Sequence, residues 1–282
     1  MSPSNFYNMS KALKKIFKKE KDIVIGSLHF APLLGFEDFP GFKKTLKMAL
    51  DDLKAYEEGG VDGLFLENNY GLSTEKIGAE QAVAMSYLIG EIRSRTKLPL
   101  GVSVLWNDYG TALALSKTHN LQFIRIPVFV DTVKTYCGVI TGTPADVRKT
   151  QKKLCAEDVA LFTDILVKHS EHISKHTLGA AAKKAIKQGS DAVIVTGDWT
   201  GQSPTVETVS GLRSKIENFP ILIGSGVDTS NVKDLCDYAD GVIVSTSLKQ
   251  GNIKKGERNV KGFEQRVVKK KVRQLVEALH TK

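Results

Sequence analysis

The sequence predicts an α/β fold: a single (β/α)8 TIM barrel with an N-terminal helix and a basic C-terminal helix. Three observations predict it. Eight short apolar runs rich in Val, Ile and Leu recur along the chain, separated by segments of helical periodicity. The runs are nearly continuous in apolar character, as in parallel strands covered on both faces. The first turn after a strand reads Ser27-Leu28-His29-Phe30-Ala31-Pro32 and lacks the glycine-rich fingerprint of a doubly wound open sheet. The 282 residues suffice for one barrel of about 250 residues with additions at its ends.

The elements follow in order. Residues 1–21 are a basic helical segment in which Leu13, Ile16 and Phe17 fall at helical spacing. It is expected to pack on the closed end of the barrel. A mitochondrial presequence is the alternative, and its use of Lys without Arg speaks against it. The barrel spans residues 22–250. Its strands are expected at Ile23–Leu28, Gly63–Leu66, Leu100–Leu105, Phe123–Ile126, Leu161–Val167, Ala192–Thr196, Ile221–Ile223 and Gly241–Val244. The first intervening helix carries Leu46, Ala49, Leu50, Leu53 and Tyr56 among charged residues and stops at Gly59-Gly60. Residues 78–95 and 176–188 read the same way, and Ser203-Pro204 is expected to open a later helix. Residues 251–282 are expected to form a flexible loop, then a basic helix from about Gly262 to His280, packed on the barrel.

In such a barrel the ligand site lies at the C-terminal ends of the strands, with phosphate held after strands seven and eight. Here Gly224-Ser225-Gly226 follows one run and Ser245-Thr246-Ser247, then Lys249, follows the other. Small residues let backbone N–H groups approach an anion closely. These seven residues are the expected phosphate site. Asp164, Lys168 and His29 are the candidate catalytic groups. Asp164 and Lys168 share one face of the fifth strand, and Arg125 on its neighbour is expected to pair with the buried Asp164. That pair is also explained by structure alone. Lys168 is expected at the rim, as a base, a Schiff-base nucleophile or a partner of the phosphate. His29 with Glu67 or Asp108 forms an acid/base pair. Glu67, Asn68, Asn107, Asp108, Arg125, Thr196, Thr200 and Gly201 are the expected substrate contacts. His169, His172 and His176 read as loop histidines, and Trp106 and Trp199 as rim aromatics able to stack on a ring. No metal site is expected, no cofactor is required, and Mg²⁺ at Glu67 or Asp108 is the minor alternative. The chain has no GxxxxGK[ST] sequence, so a P-loop nucleotide site is not supported.

The net charge of +9 is confined to the two ends. Residues 1–21 hold six Lys against one Glu, and residues 249–282 hold eleven Lys or Arg against three Glu, so the body between them is net acidic. Basic ends attract an anionic membrane surface or form solvated helix faces. Nucleic acid is not expected, because no aromatic platform accompanies those lysines. Cys137, Cys155 and Cys236 are widely spaced, with no CxxC pair, which points to a reducing compartment. No apolar run approaches the roughly 20 residues of a membrane span.

Taken together, several stretches resemble the BtpA/SgcQ family. They are Gly26-Ser27-Leu28-His29 through Pro32 to Gly35, Glu58-Gly59-Gly60-Val61-Asp62-Gly63 with Glu67-Asn68, Pro99 to Val102 with Asn107-Asp108, and Phe123-Ile124-Arg125. Asp164 to His169, Val195 to Gly197 with Thr200-Gly201, Gly224 to Val227 and Asp240 to Lys249 complete the set, over about residues 22–250. The resemblance implies a barrel related to phosphate-binding ones. One branch of that family is linked to photosystem I biogenesis in cyanobacteria and another to bacterial sugar uptake and metabolism. The chain departs from the family pattern at Phe30-Ala31, at Pro127 where an amide is usual, at Leu166 where His is frequent, and at Ser245 in place of Gly. The expectation is a cytoplasmic enzyme, able to self-associate, acting on a sugar or nucleoside phosphate by isomerase, lyase or glycosidic-bond chemistry. The alternative is a non-enzymatic assembly factor for a membrane complex, peripheral to the membrane through its basic ends. A mitochondrial location is the other alternative.

Overall fold

Eight parallel strands close into a barrel, and their inward side chains build the interior in layers. In this computed structural model residues 11–70, 74–197, 201–251 and 262–280 are described. The barrel strands are β1 (Ile23–His29), β2 (Gly63–Glu67), β3 (Leu100–Ser103), β4 (Phe123–Ile126), β7 (Ala160–Ile165), β9 (Ala192–Thr196), β10 (Ile221–Gly224) and β11 (Gly241–Val244). Around the barrel they run β1-β11-β10-β9-β7-β4-β3-β2, so the first strand closes on the last. The expected α/β barrel is what the chain forms.

Period-two alternation fixes which residues face inward. Ile25, Phe65, Phe123, Phe162, Ile194, Leu222 and Ile243 form one buried interior cluster. Phe65 and Phe123 meet edge to face at 4.8 Å, and Phe123 stacks on Phe162 at 4.9 Å. Gly101 makes room for this packing, since a Cβ there would lie 2.1 Å from the Phe123 ring. Below it, helix α1 (Lys11–Phe17) buries Leu13, Ile16 and Phe17 in the same cluster and closes the N-terminal end of the barrel. Two residues above the aromatic layer, the inward positions turn polar: Ser27, Glu67, Arg125, Asp164 and Ser245.

The outer helices are α2 (Phe42–Gly59), α3 (Ala79–Arg93), α4 (Tyr109–His119), α5 (Pro144–Lys153), α6 (Leu178–Lys187), α7 (Val206–Ile216), α8 (Val232–Cys236) and α9 (Lys269–His280). Helix α2 ends on Gly60 in the left-handed region, as its glycines predict. Helix α7 starts two residues later than Ser203-Pro204 suggested. Thr205 caps it by accepting from the Thr208 amide, and Ser203 and Pro204 before it are not helical. The basic C-terminal helix is shorter than expected. Residues 262–268 are not helical, and Val267 forms a β-bridge with Lys249. Asp52 of α2 holds this segment by accepting from Arg266 at 2.8 Å and from the Val267 amide at 2.9 Å. Most of the expected loop at 251–262 lies outside the described residues.

A small antiparallel sheet stands beside the barrel: β5 (Thr132–Thr135), β6 (Gly138–Thr141) and β8 (Glu171–His172), in the order β6-β5-β8. The reading of eight alternating units passed over it. Its signal is the pattern Thr132-Val133-Lys134-Thr135 and Gly138-Val139-Ile140-Thr141 around a two-residue turn. Val133 and Ile140 pack with Trp106, Val128 and Val167 into a third buried cluster between sheet and barrel.

Candidate functional site

A cavity of about 330 Å³ opens at the C-terminal ends of the strands. The polar top layer forms its floor, and the loops after β10 and β11 form one side. The loop after β10 is shaped by its backbone. Ser225 and Gly226 take φ of 71° and 64°, the left-handed region. A Cβ on Gly226 would lie 2.0 Å from the Ser203 amide nitrogen, so the two backbones meet too closely for any side chain. The Ser247 hydroxyl donates to the Val227 carbonyl at 2.7 Å and locks the two loops together. Among the described residues, the main-chain N–H groups of Ser225, Gly226, Thr246 and Ser247 donate to no protein acceptor. Backbone donors left over in a half-enclosed wall are the means of holding an anion.

Arg125 and Asp164 meet as the alternation of β4 and β7 predicts. Nε and Nη2 of Arg125 each lie 2.8 Å from a carboxylate oxygen of Asp164, a bidentate pair whose Asp side chain is wholly buried. Burial opposes the guanidinium charge, but Asp164 and Glu67 raise its pKa overall. The third nitrogen, Nη1, stands 3.5 Å from Glu67.

Glu67 also accepts from the Ser27 hydroxyl at 3.1 Å and faces His29 Nε2 at 3.2 Å. Burial pushes the Glu67 pKa up, and the bond from His29 with the charges of Arg125 and Lys168 more than reverses this, to about 2. His29 is driven the other way: burial and then the Lys249 charge take it down to about 4. The imidazole is therefore neutral at pH 7. Its proton sits on Nε2, donated to Glu67, and its Nδ1 lone pair faces Asn69 Nδ2 at 3.4 Å and Lys249 Nζ at 3.5 Å. Such a histidine accepts a proton at Nδ1 while Glu67 steadies the charge that forms.

Lys168 reaches the cavity by a route the sequence reading did not foresee. Strand β7 ends at Ile165, and Leu166 takes φ of 55°, so the chain has left the pleat before residue 168. Even so, Lys168 Nζ lies 2.6 Å from Ser225 Oγ on the loop after β10. Burial and the nearby Arg125 charge lower its pKa to about 8. Lys249 is 2% exposed and sits 3.2 Å from the Tyr70 hydroxyl, with its ammonium 5.7 Å from the Tyr70 ring centre. Its contacts therefore place it at the His29 corner of the cavity, not with the Ser225-Gly226 turn. Tyr70 was not anticipated; its signal was its place just past the Glu67-Asn68-Asn69 run.

Three expected substrate contacts lie in the scaffold instead. Both amide atoms of Asn68 bond the Leu105 backbone, those of Asn107 bond the Val128 backbone, and Asp108 caps α4 through Thr111. Buried asparagines that hold irregular loops look like ligand contacts in sequence, since both stand just past a strand. Thr196 lines a neighbouring groove, Gly201 lines the cavity, and Thr200 with Trp199 lies outside the described residues. His172 is exposed on β8, and His176 pairs with Asp131 at 3.0 Å. Among the described residues no group of three or more His, Cys, Asp and Glu side chains is placed to hold a metal ion. No helix among them is long and apolar enough to cross a membrane.

Known proteins place the chain in context. The BtpA family pattern matches residues 20–281. A protein of Archaeoglobus fulgidus is 34% identical over 83% of this chain and 94% of its own length. The photosystem I biogenesis protein BtpA of Synechocystis is 33% identical over 82% of each. Among solved structures, (S)-3-O-geranylgeranylglyceryl phosphate synthase from Thermoplasma acidophilum, in complex with its substrate sn-glycerol-1-phosphate, superposes with a TM-score of 0.60. It is 16% identical and covers 96% of this chain and 98% of its own, a likeness of fold.

Proposed function

The chain belongs to the BtpA family, and from that premise we propose that it is an enzyme that binds a phosphorylated small metabolite, a sugar or nucleoside phosphate, at the C-terminal rim. One observation carries this reading: backbone donors with no protein acceptor, on the loops after β10 and β11, line the same cavity as Arg125, Lys168 and Lys249. Phosphate is held by the four amides and Lys168. His29, steadied by Glu67, exchanges a proton with the substrate, and Asp164 fixes the Arg125 guanidinium against the floor. The chemistry within reach of these groups is proton transfer in isomerisation, lyase cleavage or cleavage of a glycosidic bond. The fold neighbour crystallised with a glycerol phosphate supports the choice of ligand.

Thermal melts in the presence of ribose 5-phosphate, nucleoside monophosphates and inorganic phosphate test it. A ligand at a hundredfold excess over Kd stabilises the fold by about 2.7 kcal/mol, which is several degrees in Tm. The competing reading, an assembly factor for a membrane complex, draws on the name of the Synechocystis relative and on the basic ends. It prevails if no phosphate ester moves the melt while the protein sediments with anionic vesicles.

Ligand affinity should also depend on pH in a definite direction. Lys168 titrates near 8, so below that value it meets the phosphate already charged. Above it, binding must first recapture a proton. The Kd for ribose 5-phosphate, measured by calorimetry at pH 7, 8, 9 and 10, is expected to stay nearly level to pH 8. It should then rise toward about tenfold per pH unit. Lys168→Met should weaken binding throughout and remove that inflection.

A further inference from the structure

Strands β3 and β4 lie four places from β10 and β11 in the closed order, straight across the barrel from the anion-binding loops. That far side of the cavity is apolar. Leu105 and Trp106 follow β3, Pro127 follows β4, and the β5–β6 hairpin brings in Tyr136. Pro127 has no amide proton to offer. Trp106 is 5% exposed and packed against Val128, Val133, Ile140 and Val167, while Tyr136 at the turn of the hairpin is 64% exposed, although both line the cavity. Their rings meet edge to face at 6.0 Å. The polar atoms of Leu105, Trp106, Pro127 and Tyr136 that face a ligand are few: the Trp106 indole N–H, which has no acceptor among the described residues, and the Tyr136 hydroxyl. A hydroxyl-rich sugar at the far end would leave most of its hydroxyls unmatched. A flat ring would cover the open face of Tyr136, and Asn69 and His169 lie on the same cavity to meet polar ring edges.

Resting on the phosphate-ester reading above, the geometry points to a ligand class: a phosphomonoester whose other end is a planar heteroaromatic ring, as in a nucleoside monophosphate, with Tyr136 as the residue that selects for the ring. The accessory sheet β6-β5-β8 then has a role that the barrel alone cannot fill, holding an aromatic side chain across from the phosphate.

Calorimetric titration of the full chain with ribose 5-phosphate, adenosine 5′-monophosphate and uridine 5′-monophosphate tests this. A stacked ring should make one of the nucleotides at least about tenfold tighter than ribose 5-phosphate. Tyr136→Ala should remove most of that preference. Val139→Ala, on the same hairpin and also exposed, should leave it in place. The proposal is overturned if ribose 5-phosphate binds as tightly as both nucleotides, or if Tyr136→Ala weakens all three ligands alike. In those cases the phosphate-ester reading survives. If none of the three binds, both fall together.

Discussion

Gly226→Ala should reduce the affinity for phosphate esters by on the order of a hundredfold or more, with the barrel still folded. The new methyl group would fall 2.0 Å from the Ser203 nitrogen and 2.1 Å from the Gln202 carbonyl carbon, and backbone cannot swing aside as a flexible side chain would. The residue also sits at φ of 64°, where an alanine costs about 1–2 kcal/mol. The loop must therefore move, carrying with it the amides of Ser225 and Gly226. Each hydrogen bond to a charged acceptor contributes about 1.5–3 kcal/mol, so misaiming two of them accounts for the loss. Calorimetric titration with ribose 5-phosphate reads it, and a circular dichroism melt shows whether the fold persists. Binding within threefold of the parent would mean that this loop does not hold the phosphate.

Arg125→Met should give the largest loss of stability. It leaves Asp164 buried with no cation and takes one neighbour from Glu67. Breaking a buried pair from one side costs about 3–5 kcal/mol. In a chain of this size that lowers Tm by on the order of 10 °C. The double variant Arg125→Met with Asp164→Leu should recover much of the loss, since a well-packed apolar pair has no charge to desolvate. Scanning calorimetry of both variants distinguishes a structural pair from one retained for its positive charge. If the double variant melts near the parent yet no longer binds ribose 5-phosphate, the pair is there for the ligand.

The barrel was legible because its signal is local. Each strand is a short apolar run between helical patterns, and alternation alone placed Arg125 against Asp164. The loops after β10 and β11 were legible for the same reason, as glycine and serine directly after two buried strands, and both line the cavity. What escaped the reading depends on distant partners. Asn68 and Asn107 carry the side chains of ligand contacts, and only the fold shows their amides spent on the backbones of Leu105 and Val128. Lys168 was placed by extending a pleat that breaks at Leu166, where a non-glycine residue turns left-handed. The hairpin around Tyr136 is too short to stand out against eight stronger runs. Lys249 has its surroundings set by Tyr70 and His29, residues remote in sequence.

The seam between β1 and β11 bears on how this molecule comes into being. The cavity draws groups from Ser27 to Lys249, and Lys249 is in turn bridged to Val267 and bonded through its carbonyl to the Lys271 ammonium. A growing polypeptide leaving the ribosome can lay down most of the strands in order, yet it cannot close the ring until β11 has emerged to pair with β1. Such long-range closure is slow compared with helix formation. Until β11 is made the barrel keeps two open strand edges, on β1 and β10, and the surroundings of Lys249 form only once Val267 and Lys271 are in place.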